Sequence, residues 1–218
     1  MTRLPLRVTL IATAAAAAIA FATTPATDLH AQVAPGLLDP NTASESDLLT
    51  LPHLSLPVVK ALLEQRPFSS ALELDVFLKG RGLGAEQLKE LYGKAFVHVN
   101  LNTAPEAEFL LIPNAGRRMA HEFQEYRPWK SWAQFDKEIG KYVDQAEVGR
   151  LKRYAFIPVK LNTAGDDELR SIPGVGNKML HELKEYRPWK TQAQFEKEIG
   201  KYVGPKEVAR LWRYVVID

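Results

Sequence analysis

Apolar positions near the end of the chain fall at helical spacing. Val208, Leu211, Trp212 and Val215 occupy i, i+3, i+4 and i+7, which predicts one amphipathic helix. Phe195 and Ile199 stand four apart in TQAQFEKEI and predict another. Between the two, GKYVG turns the chain, and Pro205 suits the first position of the helix that follows. Upstream, Met179, Leu180, Leu183 and Tyr186 share one side of a helix that stops before Pro188, whose ring disfavours helix at the preceding residue. A shorter helix precedes it, placed after Thr163 as N-cap with Asp166 three residues on, and ended by Pro173 and GVG. The pattern is helix, tight turn, helix, written twice.

The same pattern occurs three times. Asn-Thr-Ala recurs at Asn41, Asn102 and Asn162. Eleven residues after each asparagine stands a proline: Pro52, Pro113 and Pro173. Twenty-five residues after each comes Arg-Pro followed by an aromatic: Arg66-Pro67-Phe68, Arg127-Pro128-Trp129 and Arg187-Pro188-Trp189. Thr42 and Thr103, with Glu45 and Glu106, repeat the expected cap of Thr163. An all-α protein of three tandem units of about sixty residues follows, with boundaries at 38–99, 100–159 and 160–218, the first unit being the most divergent. The connectors FVHVNLNTA and FIPVKLNTA are too short to let the units tumble, so a semi-rigid row is expected.

The first 31 residues read differently. Arg3 and Arg7 precede an uncharged apolar run from Val8 to Ala22, with small residues after it, and Ala22 and Ala31 offer cleavage points. That layout predicts a secretory signal and a flexible lead-in, hence a periplasmic or secreted protein. An uncleaved membrane anchor is the alternative, although the run is shorter than the ~20 residues of a spanning helix. With no cysteine in the chain, disulfides and thiolate metal sites are excluded. The chain carries a formal net charge of +2, so nucleic-acid binding must come from local placement of charge.

The stretch LNTAGDDELRSIPGVGNKMLHELKEYRPW resembles the tandem helix-hairpin-helix units of ComEA-type competence proteins, in Asn-Thr-Ala, Pro-Gly-x-Gly and Tyr-Arg at fixed offsets. The likeness spans about residues 38–218. It implies six helical hairpins and a non-enzymatic protein that binds DNA outside the cytoplasmic membrane without sequence preference, in the setting of DNA uptake. The family's fold also holds together a protein assembly without DNA, as an extrinsic subunit of photosystem II. The other implied reading is therefore a structural or adaptor subunit docked on a membrane-associated protein complex.

In such a hairpin, glycines around one apolar residue allow a tight turn and close approach of the backbone. Amides opening the next helix then face a phosphate, a nearby lysine or arginine adds charge, and no base edge is read. Gly174, Val175 and Gly176 with Lys178 meet every requirement. Gly82, Leu83 and Gly84, preceded by Lys79 and Arg81, do so in the second half of the first unit. Gly116 with Arg117 and Arg118 keeps one glycine and gains charge. PHLSLP has lost both glycines, and in GKYVDQ Asp144 would repel phosphate. Charge agrees with this ranking: 6 basic and 8 acidic side chains in 38–99, 9 and 8 in 100–159, 11 and 9 in 160–218.

Other readings are weaker. Tyr126, Tyr186, Trp129 and Trp189 bracket a proline corner and read as packing. Arg127 and Arg187 read as partners of helix-end carbonyls or of a carboxylate. His121-Glu122 and His181-Glu182 lack the second histidine of a zinc helix. No catalytic constellation, metal site or cofactor motif is evident, and no small-molecule substrate is implied.

Overall fold

The computed structural model describes residues 37–218; the expected signal segment and lead-in lie outside them. The described residues form twelve helices, four in each sequence repeat. Repeat 1 holds α1 (Glu45–Leu49), α2 (Leu56–Gln65), α3 (Ala71–Gly80) and α4 (Ala85–Tyr92). Repeat 2 begins with β1 (Val99–Asn100) and holds α5 (Glu106–Phe109), α6 (Gly116–Glu125), α7 (Trp132–Ile139), α8 (Gln145–Lys152) and β2 (Ala155–Phe156). Repeat 3 runs β3 (Val159–Lys160), α9 (Asp166–Arg170), α10 (Asn177–Glu185), α11 (Gln192–Ile199), α12 (Pro205–Trp212) and β4 (Val215–Val216). The chain is helix-rich, as the apolar spacing predicts.

The threonine caps are not formed. The first helices start later, with Ser44, Pro105 and Gly165 at the N-cap. Ser44 exchanges bonds with Asp47, and the Gly165 amide donates to Glu168 at 2.9 Å. Thr42, Thr103 and Thr163 lie instead in a preceding turn, closed by Ala43, Ala104 and Ala164 amides donating to the carbonyls of Asp39, Asn100 and Lys160.

That turn exists because each asparagine works at long range. The Asn102 amide group accepts from Trp129 N–H at 2.6 Å and donates to Trp129 C=O at 3.0 Å. Asn41 does the same to Phe68 and Asn162 to Trp189. The side chain thus imitates a strand neighbour and satisfies both backbone groups of the aromatic residue. Arginine completes the clasp. Arg127 donates to the carbonyls of Leu101 and Ala104, Arg187 to those of Leu161 and Ala164, and Arg66 to that of Ala43. The expected carbonyl partners are found, but they open the first helix rather than end the second. All three Arg-Pro bonds are cis.

The connectors are more than links. β1 pairs in parallel with β2, β3 with β4, and Leu38 bridges Ala95 in parallel, so the two ends of every repeat lie side by side. Nor are the repeats a simple row. Repeats 1 and 2 share one apolar core running from Ala43 to Ile157, with the Phe96 and Tyr154 rings 5.2 Å apart across it. Repeat 3 packs a separate core around Trp189, Phe195 and Leu183. It meets the others through an aromatic contact, the Phe156 ring of repeat 2 lying 4.3 Å from that of Tyr214, and through polar bonds, Arg213 donating to His98 C=O at 3.1 Å and Asn100 to Arg213 C=O at 3.4 Å. Around these bonds Asp39, His98, Arg210 and Tyr214 are buried.

Candidate nucleic-acid interface

The corner after each first helix opens on a left-handed residue, of a different type in each repeat. His53, Asn114 and Gly174 all take positive φ, at 65°, 63° and 82°. Asparagine tolerates that region through local polar contacts and glycine through its missing Cβ. What differs is what stands at the start of the helix that follows.

In repeat 3, Gly176 is the N-cap of α10, and no side chain caps it. The first ladder bond is donated by Leu180 to Gly176 C=O, leaving the amides of Asn177, Lys178 and Met179 ahead of the ladder. Gly176 and Lys178 are exposed, and nothing stands within 4 Å of where a Gly176 Cβ would be. No carboxylate occupies the first turn. Lys178 Nζ rests 5.3 Å from the centre of the Tyr202 ring, whose hydroxyl pairs with Tyr186 at 3.0 Å. Bonding to Tyr186, then to Glu182, pushes the Tyr202 phenol far above its usual range, so the ring under the cation stays neutral.

The other side of this corner is braced. Arg210 Nη2 donates to Pro173 C=O at 2.7 Å, and a Cβ on Gly174 would stand 2.9 Å from that nitrogen and 3.2 Å from Thr42 Cγ2 of repeat 1. Gly174 and Val175, which is buried, therefore shape the corner, while Gly176 and Lys178 face solvent.

Repeat 2 reaches a similar end by another path. Ala115 is right-handed helical (φ −68°, ψ −47°) and Gly116, which opens α6, has φ 68°. Alternating hands turn successive N–H groups to one side, a concavity suited to anions. Arg117 and Arg118 are exposed in the first turn, no acid accompanies them, and Arg118 lies 5.2 Å from the Tyr142 ring centre. Packing adds cations that the sequence does not place there. Lys79 and Lys89 of repeat 1, with Asp75, line a cavity of about 290 Å³ together with Asn114 and Gly116. Nothing in the linear pattern marks Lys89, because its position depends on how the repeats pack.

The remaining helix starts are less suited to an anion. Gly82 has φ 89° and the Gly84 amide donates to Gln87 at 2.9 Å, but Glu86 sits in the first turn of α4. Leu83 is buried, and Lys79 is held by Asp75 at 2.7 Å. Pro57 removes an amide from the start of α2, and His53 is paired with Glu90 at 2.7 Å. At α8, Asp144 accepts from Glu147 N–H at 2.8 Å, filling the anion's place with the chain's own carboxylate. At α12, Pro205 brings no amide hydrogen, and Glu207, paired with Arg210, places a carboxylate in the first turn. Trp129 and Trp189 are 1% exposed and belong to the core.

No model of a known protein family, no curated protein and no solved structure matches the chain. No group of His, Asp and Glu among the described residues could hold a metal, and no described helix is long and apolar enough to cross a membrane.

Proposed function

We propose that this is an exported, non-enzymatic protein of three tandem helix-hairpin-helix units that binds DNA through its phosphates without reading sequence. One observation carries the reading. α6 and α10, at the same place in successive repeats, combine uncapped amides, a first turn free of carboxylates, and the exposed cations Arg117, Arg118 and Lys178. Helix dipole and side-chain charge then act on the same anion. Contacts of this kind are few, so binding is weak and depends steeply on salt.

The test is a titration against labelled duplex DNA over a salt series. Reversing Arg117, Arg118 and Lys178 to glutamate is expected to lower affinity by about a hundredfold near 0.1 M salt and to flatten the salt dependence by roughly three contacts. Absence of duplex binding by the unaltered protein even at low salt would refute the proposal.

A second reading, an adaptor subunit docked on a membrane-associated protein complex, is favoured by a specific contrast. α4, α8 and α12 carry acids in their first turns and α2 a proline, so most helix starts serve the fold alone. Retention of an intact envelope complex by the immobilised protein, with no duplex binding, is its expected signature.

A further inference from the structure

A groove of about 820 Å³ runs between repeats 2 and 3, far from apolar throughout. Pro158, Trp212 and Val216 form its apolar wall, and Lys130, Lys160 and Arg213 bring positive charge to it. Glu168 also lines it, but its carboxylate is engaged by the Gly165 amide. Neither Lys130 nor Lys160 makes an ion pair within 4 Å among the described residues, although Lys160 is near enough to help lower the Asp218 carboxyl.

Comparison of the repeats shows that these residues are not simply what the fold demands. The position of Lys160 is held by Asp39 and Asn100 in repeats 1 and 2, and there each Oδ1 accepts from the amide two residues on at 2.9 Å. Lysine cannot do so. In repeat 3 Asp218 supplies the acceptor instead, bonding Asn162 N–H at 2.9 Å and the Thr163 hydroxyl. The turn is thus held from elsewhere while an exposed lysine stands at the groove.

Trp212 is a second exchange. Its counterpart in repeat 2 is Lys152, which lies over Trp132 at 5.7 Å, and the counterpart of Trp132 in repeat 3 is Gln192. Either arrangement covers the core phenylalanine: Trp132 stands 5.4 Å from Phe135 and Trp212 stands 5.1 Å from Phe195. Only the repeat 3 arrangement puts a half-buried indole in the groove. Arg213 is fixed beside it, with its guanidinium 5.9 Å from the Phe156 ring and 5.6 Å from the Tyr214 ring, and its buried Nη1 has no partner.

We infer that this groove binds an unpaired stretch of one or two nucleotides, a base stacking on Trp212 beside Pro158 and its phosphates held by Lys160, Lys130 and Arg213. A flat aromatic face within a cationic rim suits nucleobases of any identity, since every base has a stacking face. An acidic peptide would satisfy the cations but leave the indole face without a planar partner. The inference shares its ligand class with the proposed duplex binding and uses different residues, so the two can fail separately.

The experiment measures binding of oligo-thymidylate and of a duplex of equal length, by tryptophan quenching and by anisotropy. Three groove variants are compared with the glutamate reversal of Arg117, Arg118 and Lys178. Trp212→Lys, Lys160→Asn and Lys130→Ser each install the residue that another repeat carries at that position. Trp212→Lys is expected to lower single-strand affinity about tenfold, and Lys160→Asn a few-fold, with duplex binding unchanged. The helix-start reversal is expected to do the converse. If Trp212→Lys is unfolded by circular dichroism, the two exposed lysine variants decide the matter. Single-strand binding unaffected by Lys160→Asn and Lys130→Ser overturns the inference. So does failure to bind oligo-thymidylate, or equal competition by polyglutamate. Trp212-dependent single-strand binding without any duplex binding supports the groove and refutes only the helix-start reading.

Discussion

Asn41, Asn102 and Asn162 do one job three times, whereas the corners beginning at His53, Asn114 and Gly174 share a left-handed first residue and little else. Each asparagine closes both hydrogen bonds of an aromatic residue 27 positions away. An apolar side chain there would leave both backbone groups without this partner, and of the side chains of this length only the amide offers both a donor and an acceptor. Each corner opens on one left-handed residue, joined by Gly116 in repeat 2, and the start of the next helix is free to be blocked by Pro57, flanked by Arg117 and Arg118 or left open as at Gly176. The clasp carries the fold; the corner is where copies acquire different chemistry.

Breaking the clasp has the largest expected effect. Asn102→Ala or Asn162→Ala loses two hydrogen bonds and leaves their partners unsatisfied, which costs about 3 kcal/mol in urea unfolding. Duplex affinity of the folded fraction stays unchanged. Gly174→Ala comes next. It forces an L side chain to a φ of 82° and presses on Arg210, an expected loss of about 1–2 kcal/mol in the same measurement. Gly176→Ala meets open space at φ −89° and is expected to cost less than about 1 kcal/mol, which separates bracing from exposure within one corner.

The buried polar groups at the junction of repeat 3 with the others add a pH-dependent contribution of similar or smaller size. Burial holds the His98 imidazole below its ordinary value of 6.5; Arg213 pushes the same way and Asp39, 3.9 Å away, opposes them. Protons therefore bind the unfolded chain first. The stability from neutral His98 is complete above pH ~6.5 and declines as pH falls from there toward the folded value, by at most about 1.4 kcal/mol per pH unit. Glu108, raised by burial, works oppositely as its carboxyl protonates. Thermal melting between pH 7.5 and 5 should show the decline, and His98→Leu should remove it. Smallest is Asp144→Gly. Exchange of one favourable N-cap for another costs only a few tenths of a kcal/mol. Opening α8 to solution in this way is expected to raise duplex affinity about twofold at low salt.

Helices, repeat length and the packing of Trp129 and Trp189 were legible because local spacing encodes them, while for Arg127 and Arg187 only the kind of partner, a backbone carbonyl, was among the readings, since the carbonyls they reach lie 23 and 26 residues away. The threonine caps misled because Thr103 looks like an N-cap while Asn102 beside it is bonded 27 residues away, which moves the helix start on to Pro105. Two-residue strands are too short for periodicity to reveal, although FVHVN and YVVID hold the β-branched residues that form them. The groove required Trp212, Lys130 and Lys160 to converge from distant segments, and only the replacement of Asp39 and Asn100 by Lys160 hinted at it.

The parallel pairing of each repeat's first and last segments has a mechanical consequence. Tension entering at Val159 and leaving beyond Val216 pulls two parallel strands in opposite directions along their length. Their rungs are then loaded together in shear instead of being peeled one at a time. A protein pulled upon through its chain would meet resistance at these clasps first, and its helices would feel the load only after a clasp had parted.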